Sequence, residues 1–343
     1  MKAVAFEHHG NLDVLQWMDL PDPRPTDGEV LIKVEACGVN HLDVWMREGW
    51  PGLHIPMPHI SGCEVVGTIA ELGKNVRGWN VGQRVLVSPG LSCRQCDRCR
   101  TGHESLCSHF GVMGFIRQGG YAELTTAPAD ELVAIGDEWT PEEWAATPLV
   151  FLTAWHMLVS RAKLKKGETV LIHAAGSGIG TAGIQVAKYL GARVITTAGS
   201  DEKLDKAKKL GADETVNYTT HPEFHKEVKR LTDGKGCDIV YEHIGPATWT
   251  SSSASLAIGG RIVFCGVSSG PKVELDLRFT FMRQHSILGS YMGDKHELLT
   301  VIDLLKKKKL HPVVDTIFPL KEAKAAQSKM LSRNFFGKLV FKV

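Results

Sequence analysis

The segment at 169–180, TVLIHAAGSGIG, constrains this chain more than any other. A short apolar run enters a glycine-rich turn, and a helix-periodic stretch at 179–190 leaves it. At a helix start the first backbone N–H groups lack intrahelical acceptors and the dipole is positive, which suits a pyrophosphate. Glycines let such a ligand approach the backbone. Two registers are possible. Gly178, Gly180 and Gly183 satisfy Gly-x-Gly-x-x-Gly literally, whereas Ala175-x-Ser177-x-x-Gly180 is a degenerate form. Taken alone, the pattern is weak. Its context makes it specific, because strands at 193–197, 215–217, 238–242, 261–265 and 287–290 alternate with helices at 201–210, 223–231 and 247–257. Repeated β-α units with apolar strands predict an α/β fold, a doubly wound parallel sheet with helices on both faces.

The second strand of such a unit ends on an acid when the adenosine ribose 2′-hydroxyl is bound. Here the strand runs into Ala198-Gly199-Ser200, and Asp201 starts the next helix. Small neutral residues leave room for a 2′-phosphate, with Ser200 and Lys203 as its candidate ligands. This predicts NADP(H) in preference to NAD(H).

Four of the eight cysteines fall together, Cys93, Cys96, Cys99 and Cys107. Thiolates at such spacing can close a tetrahedral shell around one structural Zn2+. The fourth cysteine follows after seven residues and precedes Ser108, unlike the bacterial iron–sulfur spacing. His103 and His109 are read as bystanders.

The first third differs in character. Candidate strands at 29–35, 62–70 and 84–87 are separated by glycine and proline breakers, among them the stretch 49–58, as in a compact barrel. Thr140-Pro141-Glu142-Glu143 has the pattern of a capped helix start. At 343 residues, 43% hydrophobic and 23% charged, the chain suits about two globular domains. A formal charge of +2 gives no pull toward nucleic acid or membrane. No apolar run approaches the ~20 residues of a membrane span. Glu7 interrupts what a leader would continue, so a cytoplasmic location is expected.

Together, the β-rich first third, the four-cysteine segment and the later nucleotide-type turn resemble the medium-chain dehydrogenase/reductase superfamily, over essentially all 343 residues. The resemblance implies a GroES-like β-barrel catalytic domain, 1–149 and 291–343, carrying a structural zinc lobe at about 90–110. It implies a Rossmann domain at 150–290, an active-site cleft between the two, and a homodimer or homotetramer. By this resemblance Cys93, Cys96, Cys99 and Cys107 match the lobe. Ser177, Gly178, Ile179 and Gly180 match the pyrophosphate loop, Ser200 a phosphate-binding position, and Tyr218 one at the adenine–ribose end. Cys265, Gly266 and Val267 match the segment beside the nicotinamide.

The sequence departs from zinc-using members at the catalytic metal. Their Cys-x-Thr/Ser-Asp reads Asn40-His41-Leu42-Asp43, their Gly-His-Glu reads Gly62-Cys63-Glu64, and their third cysteine falls near Leu149. A catalytic zinc takes about three protein ligands. Cys63 and Glu64 could supply two, with His41, His59 or His156 a third; alternatively Cys63 is a small buried apolar residue. The expectation is that no catalytic zinc binds. Gly38-Val39-Asn40-x-x-Asp43 resembles the zinc-free quinone oxidoreductases, where Asn40 would face nicotinamide and substrate and Asp43 would support it. Asn40, His41, Cys63 and Trp155 would line the cleft. The activity implied is hydride transfer between the nicotinamide and a small alcohol or carbonyl, enone or quinone. The rivals are a zinc-catalysed alcohol dehydrogenase with variant ligands and a non-enzymatic NADPH-binding protein.

Overall fold

The computed structural model describes every residue except Trp50, Pro51 and Leu53, so the breaker stretch 49–58 lies partly outside the described residues. The chain divides into two compact units. The first holds Met1–Leu149, Asp294–Lys306 and Pro312–Val343; the second holds Val150–Gly293 and Lys307–His311. The expected return segment, 291–343, therefore loses two pieces to the second unit. One has a visible cause: the Gln185 side chain donates to the His311 carbonyl and accepts from its N–H, both at 3.0 Å.

In the first unit a curved sheet runs Val314–Pro319, Lys338–Lys342, Glu29–Gly38, Glu64–Leu72, Arg84–Val87, Leu132–Ala134. Glu29–Gly38 is its spine. One edge pairs antiparallel with Glu64–Leu72 along nearly its whole length. Its other edge pairs first with Leu124–Pro128 and then with Lys338–Lys342. Val30, Ile32, Val34 and Ala36 are buried on one face, and Leu31 and Cys37 are buried on the other, so only Lys33 between them is exposed. Glycine at 67 permits the close pairing, since a β-carbon there would lie 2.1 Å from the Lys33 carbonyl oxygen. The helix Pro141–Ala145 starts as predicted: Thr140 Oγ1 accepts from the Glu143 N–H at 3.2 Å, and Glu143 accepts from the Thr140 N–H at 2.9 Å.

In the second unit six parallel strands run Glu214–Asn217, Arg193–Ala198, Thr169–Ile172, Cys237–Glu242, Leu256–Phe264, Ser286–Gly289. The order reverses between Thr169–Ile172 and Cys237–Glu242, and ligands of doubly wound sheets bind beyond the strand ends at that switch. One core joins Leu171, Ile195, Val216, Val240 and Ile262 of the strands to Phe224, Val228 and Trp249 of the helices. Among the described residues, no helix is long and apolar enough to cross a membrane.

Candidate functional site

The turn after Thr169–Ile172 is built by Ser177, the cap of the helix Gly178–Tyr189. Its hydroxyl donates to the Ala174 carbonyl at 2.8 Å and accepts from the Gly180 N–H at 2.9 Å. A β-carbon on Gly180 would lie 2.2 Å from the Ala174 carbonyl oxygen. Gly180 therefore lets the helix start close against the backbone of the turn, as a last glycine of the degenerate register would. Gly183 sits one turn later, where a β-carbon would be 3.1 Å from the Tyr241 ring. The amides of Gly178 and Ile179 begin the helix and have no intrahelical acceptor by its geometry.

At the end of Arg193–Ala198, Ser200 caps the helix Asp201–Lys209 and accepts from the Lys203 N–H at 3.5 Å. Asp201 accepts from the Asn217 side chain at 2.8 Å, so its carboxylate is turned along the sheet. The half-exposed Tyr218 ring lies over Gly199, where a β-carbon would be 2.7 Å from its hydroxyl oxygen. Ser200, Lys203 and Tyr218 thus gather at the ends of two neighbouring strands, Arg193–Ala198 and Glu214–Asn217.

Cys265–Val267 follows Leu256–Phe264 and leans on the neighbouring strand, the Cys265 N–H donating to the Glu242 carbonyl at 3.3 Å. Glu242 is a residue the sequence did not single out. Its buried carboxylate accepts from the N–H groups of His243, Ile244 and Gly245, at 2.9, 2.6 and 3.2 Å, and from the Thr248 and Ser252 hydroxyls. His173 bonds Ser252 and Thr197, while His243 bonds the His173 carbonyl, at 2.8, 3.1 and 3.0 Å. Three strand ends are tied together where the glycine-rich turn begins. Burial holds both histidines below the usual imidazole range.

In the first unit, Cys93, Cys96, Cys99 and Cys107 place their sulfurs within 4.8 Å of one another. The separations are 3.8 Å for Cys93–Cys99 and 3.5 Å for both Cys96–Cys99 and Cys93–Cys107. A tetrahedron with Zn–S bonds of ~2.3 Å has edges of about 3.8 Å, so the cage fits zinc. The Gln95 and Cys96 amides lower the Cys93 thiol to about 6, favouring the ligating thiolate. The lobe is anchored by Arg94, which pairs with the buried Glu131, itself 3.6 Å from Lys295.

Asn40, Asp43, Cys63 and Glu64 do come together. Asn40 caps the helix His41–Glu48, and its N–H donates to Asp43 Oδ2 at 2.7 Å. Asp43 also accepts from the Gly62 N–H at 3.2 Å and the Tyr121 hydroxyl at 2.7 Å, so one carboxylate joins the Asn40 and Cys63 loops. Burial raises Asp43 to about 6 against these hydrogen bonds. The Asn40 side-chain NH2 donates to Glu64 Oε2 at 2.8 Å and to Cys63 Sγ at 3.5 Å. Burial, with the nearby Asp43 and Glu64 charges, pushes the Cys63 thiol well up.

Sequence reading missed Lys338 as a partner of this cluster, and named Leu149 only as a position unable to ligate. Lys338, at the head of Lys338–Lys342, pairs with Glu64 at 2.5 Å, and both side chains are almost wholly buried. The Leu149 N–H donates to the other Glu64 oxygen at 2.9 Å. Two candidate third ligands turn elsewhere: His59 bonds the Gly114 carbonyl at 3.0 Å, and the half-buried His41 packs edge-on against Trp45 at 5.2 Å. His156 and Trp155 belong to the second unit, where Trp155 lies 6.4 Å from the Tyr189 ring.

Comparison with known proteins agrees with this architecture. Residues 26–137 match the alcohol dehydrogenase GroES-like domain, and residues 178–307 match the zinc-binding dehydrogenase family. An alcohol dehydrogenase of Geobacillus stearothermophilus is 33% identical, with all of both chains covered. A quinone oxidoreductase of Pseudomonas aeruginosa is 30% identical over 99% of this chain and 98% of its own. The crystal structure of an NAD-dependent alcohol dehydrogenase superposes with a TM-score of 0.97 at 44% identity, over the whole of both chains. Gly180 at its turn, the reversed strand order and these full-length matches lead to one assignment: the chain belongs to the medium-chain dehydrogenase/reductase superfamily and is an NAD(P)-dependent oxidoreductase related to alcohol dehydrogenases and quinone oxidoreductases.

Proposed function

We propose that this enzyme transfers hydride between NADP(H) and a small alcohol or carbonyl, enone or quinone, without a catalytic zinc. The observation that carries the reading is the ion pair of Lys338 with Glu64. Where zinc-using relatives place ligands, this chain offers an amide at Asn40, a protonated thiol at Cys63 and a backbone N–H donor at Leu149. The carboxylate that could complete a set already faces an ammonium. These groups do not make a zinc site. The four-cysteine cage would hold one structural Zn2+ per chain, with no open position for substrate.

A reduced nicotinamide, when bound, supplies the hydride. On the protein side, Ser177, Gly178, Ile179 and Gly180 would hold the pyrophosphate. Ser200 and Lys203 would hold the 2′-phosphate, and Tyr218 would cover the adenosine. Cys265, Gly266 and Val267 would flank the nicotinamide, braced by the Glu242 network. Asn40, held by Asp43 and Glu64, would serve the reacting oxygen, with Cys63 beside it. An acceptor that spreads charge over a conjugated system needs less help than an isolated alkoxide, which favours enones and quinones. The name of the 44% identical structure favours NAD(H) instead; the Asp201 carboxylate bonded to Asn217 supports NADP(H).

The deciding experiment measures zinc per chain, then quinone reduction and alcohol oxidation with each coenzyme, before and after chelation. One zinc and chelator-resistant quinone reduction with NADPH are expected. Two zincs, with alcohol activity lost on chelation, would overturn the zinc-free site. We also propose a homo-oligomer. The edge strand Ser286–Gly289 and the nearby exposed Ile258, Leu277, Phe281 and Met282 give a second copy an apolar, unpaired sheet edge.

A further inference from the structure

The Lys338 ammonium has three hydrogens and three acceptors: Glu64 Oε2 at 2.5 Å, Asn40 Oδ1 at 2.6 Å and the Val39 carbonyl at 2.8 Å. An ammonium only donates and a carboxylate only accepts. The orientation of the Asn40 amide between them follows without reference to hydrogen positions. Its oxygen must face Lys338 and its nitrogen must face Glu64. The flipped amide would set NH2 against ammonium and oxygen against carboxylate, two repulsions in a buried site. One Asn40 N–H is spent on Glu64. The other points to Cys63 Sγ, 3.5 Å away, and a neutral thiol is a weak acceptor. This leaves one N–H, polarised by a cation on the same amide, without a strong partner.

We propose that Lys338 is a positioning residue of the reaction centre, fixing the Asn40 amide so that this N–H meets the substrate oxygen. The inference rests on the zinc-free hydride transfer proposed above. In that reaction hydride from the reduced nicotinamide brings its electron pair to the electrophilic carbon, and the C=O π pair moves to oxygen. The Asn40 N–H stabilises the charge forming there, and a proton from water then completes the alcohol, enol or hydroquinone. Cys63 is the resting acceptor that the substrate oxygen displaces. Lys338 touches neither substrate nor cofactor; it acts through Asn40.

The test compares Lys338→Met and Lys338→Arg with the wild type. Binding-competent sites are counted by NADPH fluorescence titration, and kcat is expressed per site on a menadione and enone panel. A purely structural role lowers the number of sites; a positioning role lowers kcat per site. In Lys338→Met, kcat per site is expected to fall about 10- to 100-fold, less than the ~100- to 1000-fold of losing an oxyanion donor outright because Asn40 remains, with cofactor KM within about two-fold. Lys338→Arg, which keeps charge and donors, should recover most of it. Unchanged kcat per site in Lys338→Met, or equal loss in both variants, overturns the proposal. A second readout needs no turnover. The Asn40 side-chain amide, assigned by 15N-asparagine labelling, should show a slowly exchanging N–H pair that Lys338→Met abolishes. Persistence of that pair in the variant also overturns the proposal. A wild type that reduces nothing in the panel but keeps the locked pair overturns the functional reading instead.

Discussion

Tyr121 donates its hydroxyl hydrogen to Asp43 at 2.7 Å, and both residues are almost completely buried. Asp43 is raised to about 6 in the folded state, against ~3.9 for a free aspartate. Here the folded protein binds the proton more tightly than the unfolded chain. The contribution to stability is therefore fullest below about pH 4, falls as pH rises to about 6 and is flat above. A proton held roughly a hundredfold more tightly corresponds to about 3 kcal/mol. Urea unfolding of the wild type and Asp43→Asn from pH 4 to 8 should show the variant's deficit shrinking by up to about that amount across this window. Parallel curves would show that Asp43 is not the group.

Ser200 offers a clean change of coenzyme. Aspartate caps a helix as well as serine does, so Ser200→Asp should fold normally. It places a carboxylate where a 2′-phosphate would sit and should reverse the preference toward NADH. Lys203→Ala should lower kcat/KM for NADPH about 10-fold and leave NADH nearly unchanged, the loss of one charge-assisted contact. Steady-state kinetics with both coenzymes check this; equal losses for both would refute a 2′-phosphate site.

Gly180→Ala asks whether the degenerate register is the working one. Its methyl group would press on the Ala174 carbonyl oxygen, a backbone atom that cannot swing away. Nicotinamide-coenzyme affinity should fall at least about 10-fold and the melting temperature should drop. Gly183→Ala meets only the Tyr241 ring at 3.1 Å and should be milder in both respects. The reverse ranking would favour the literal register.

The cysteine cage should hold one zinc per chain by plasma emission spectrometry. Cys107→Ser should lose that zinc and several degrees of melting temperature, because the lobe then relies on tethers such as the Arg94–Glu131 pair and the Ser105 N–H bond to Asp294. A variant that retains its zinc would mean the metal sits elsewhere.

Phe281→Glu places a charge on the exposed apolar face beside the edge strand. If a second copy covers that face, light scattering after gel filtration should show a smaller species than the wild type. An unchanged mass would move the oligomer contact to another surface.

What was legible in the sequence was local. The capped start at Thr140, the turn around Ser177 and Gly180 and the four-cysteine cage each involve residues close together in the chain, so spacing alone carries their geometry. The alternation of strands and helices after residue 169 carried the parallel sheet. Lys338 was not legible. It lies 298 positions from Asn40, and in KLVFK it reads as the polar start of an ordinary strand. Glu242 and His173 were hidden for a similar reason: each sits at the end of an apolar strand run, and parallel pairing brings Thr197 to His173 while the following helix returns Ser252 to both. The returning segment was expected as one piece, 291–343. The Gln185–His311 bonds that hold 307–311 in the second unit are a tertiary contact with no periodic signature.

The place of Lys338–Lys342 in the sheet has a consequence for biosynthesis. The second unit draws most of its residues from one continuous stretch, 150–293, and that stretch is finished while the first unit still waits for its inner strand. Synthesis from the N-terminus would ordinarily let the leading domain fold first. Here the order is inverted, and Glu29–Gly38 leaves the ribosome with half of one edge unfilled. Until residue 338 arrives, Glu64 has no cation. The ion pair that neutralises Glu64 therefore forms only once the chain has been made through residue 338, so the contacts around Asn40 are among the last of the first unit to be completed.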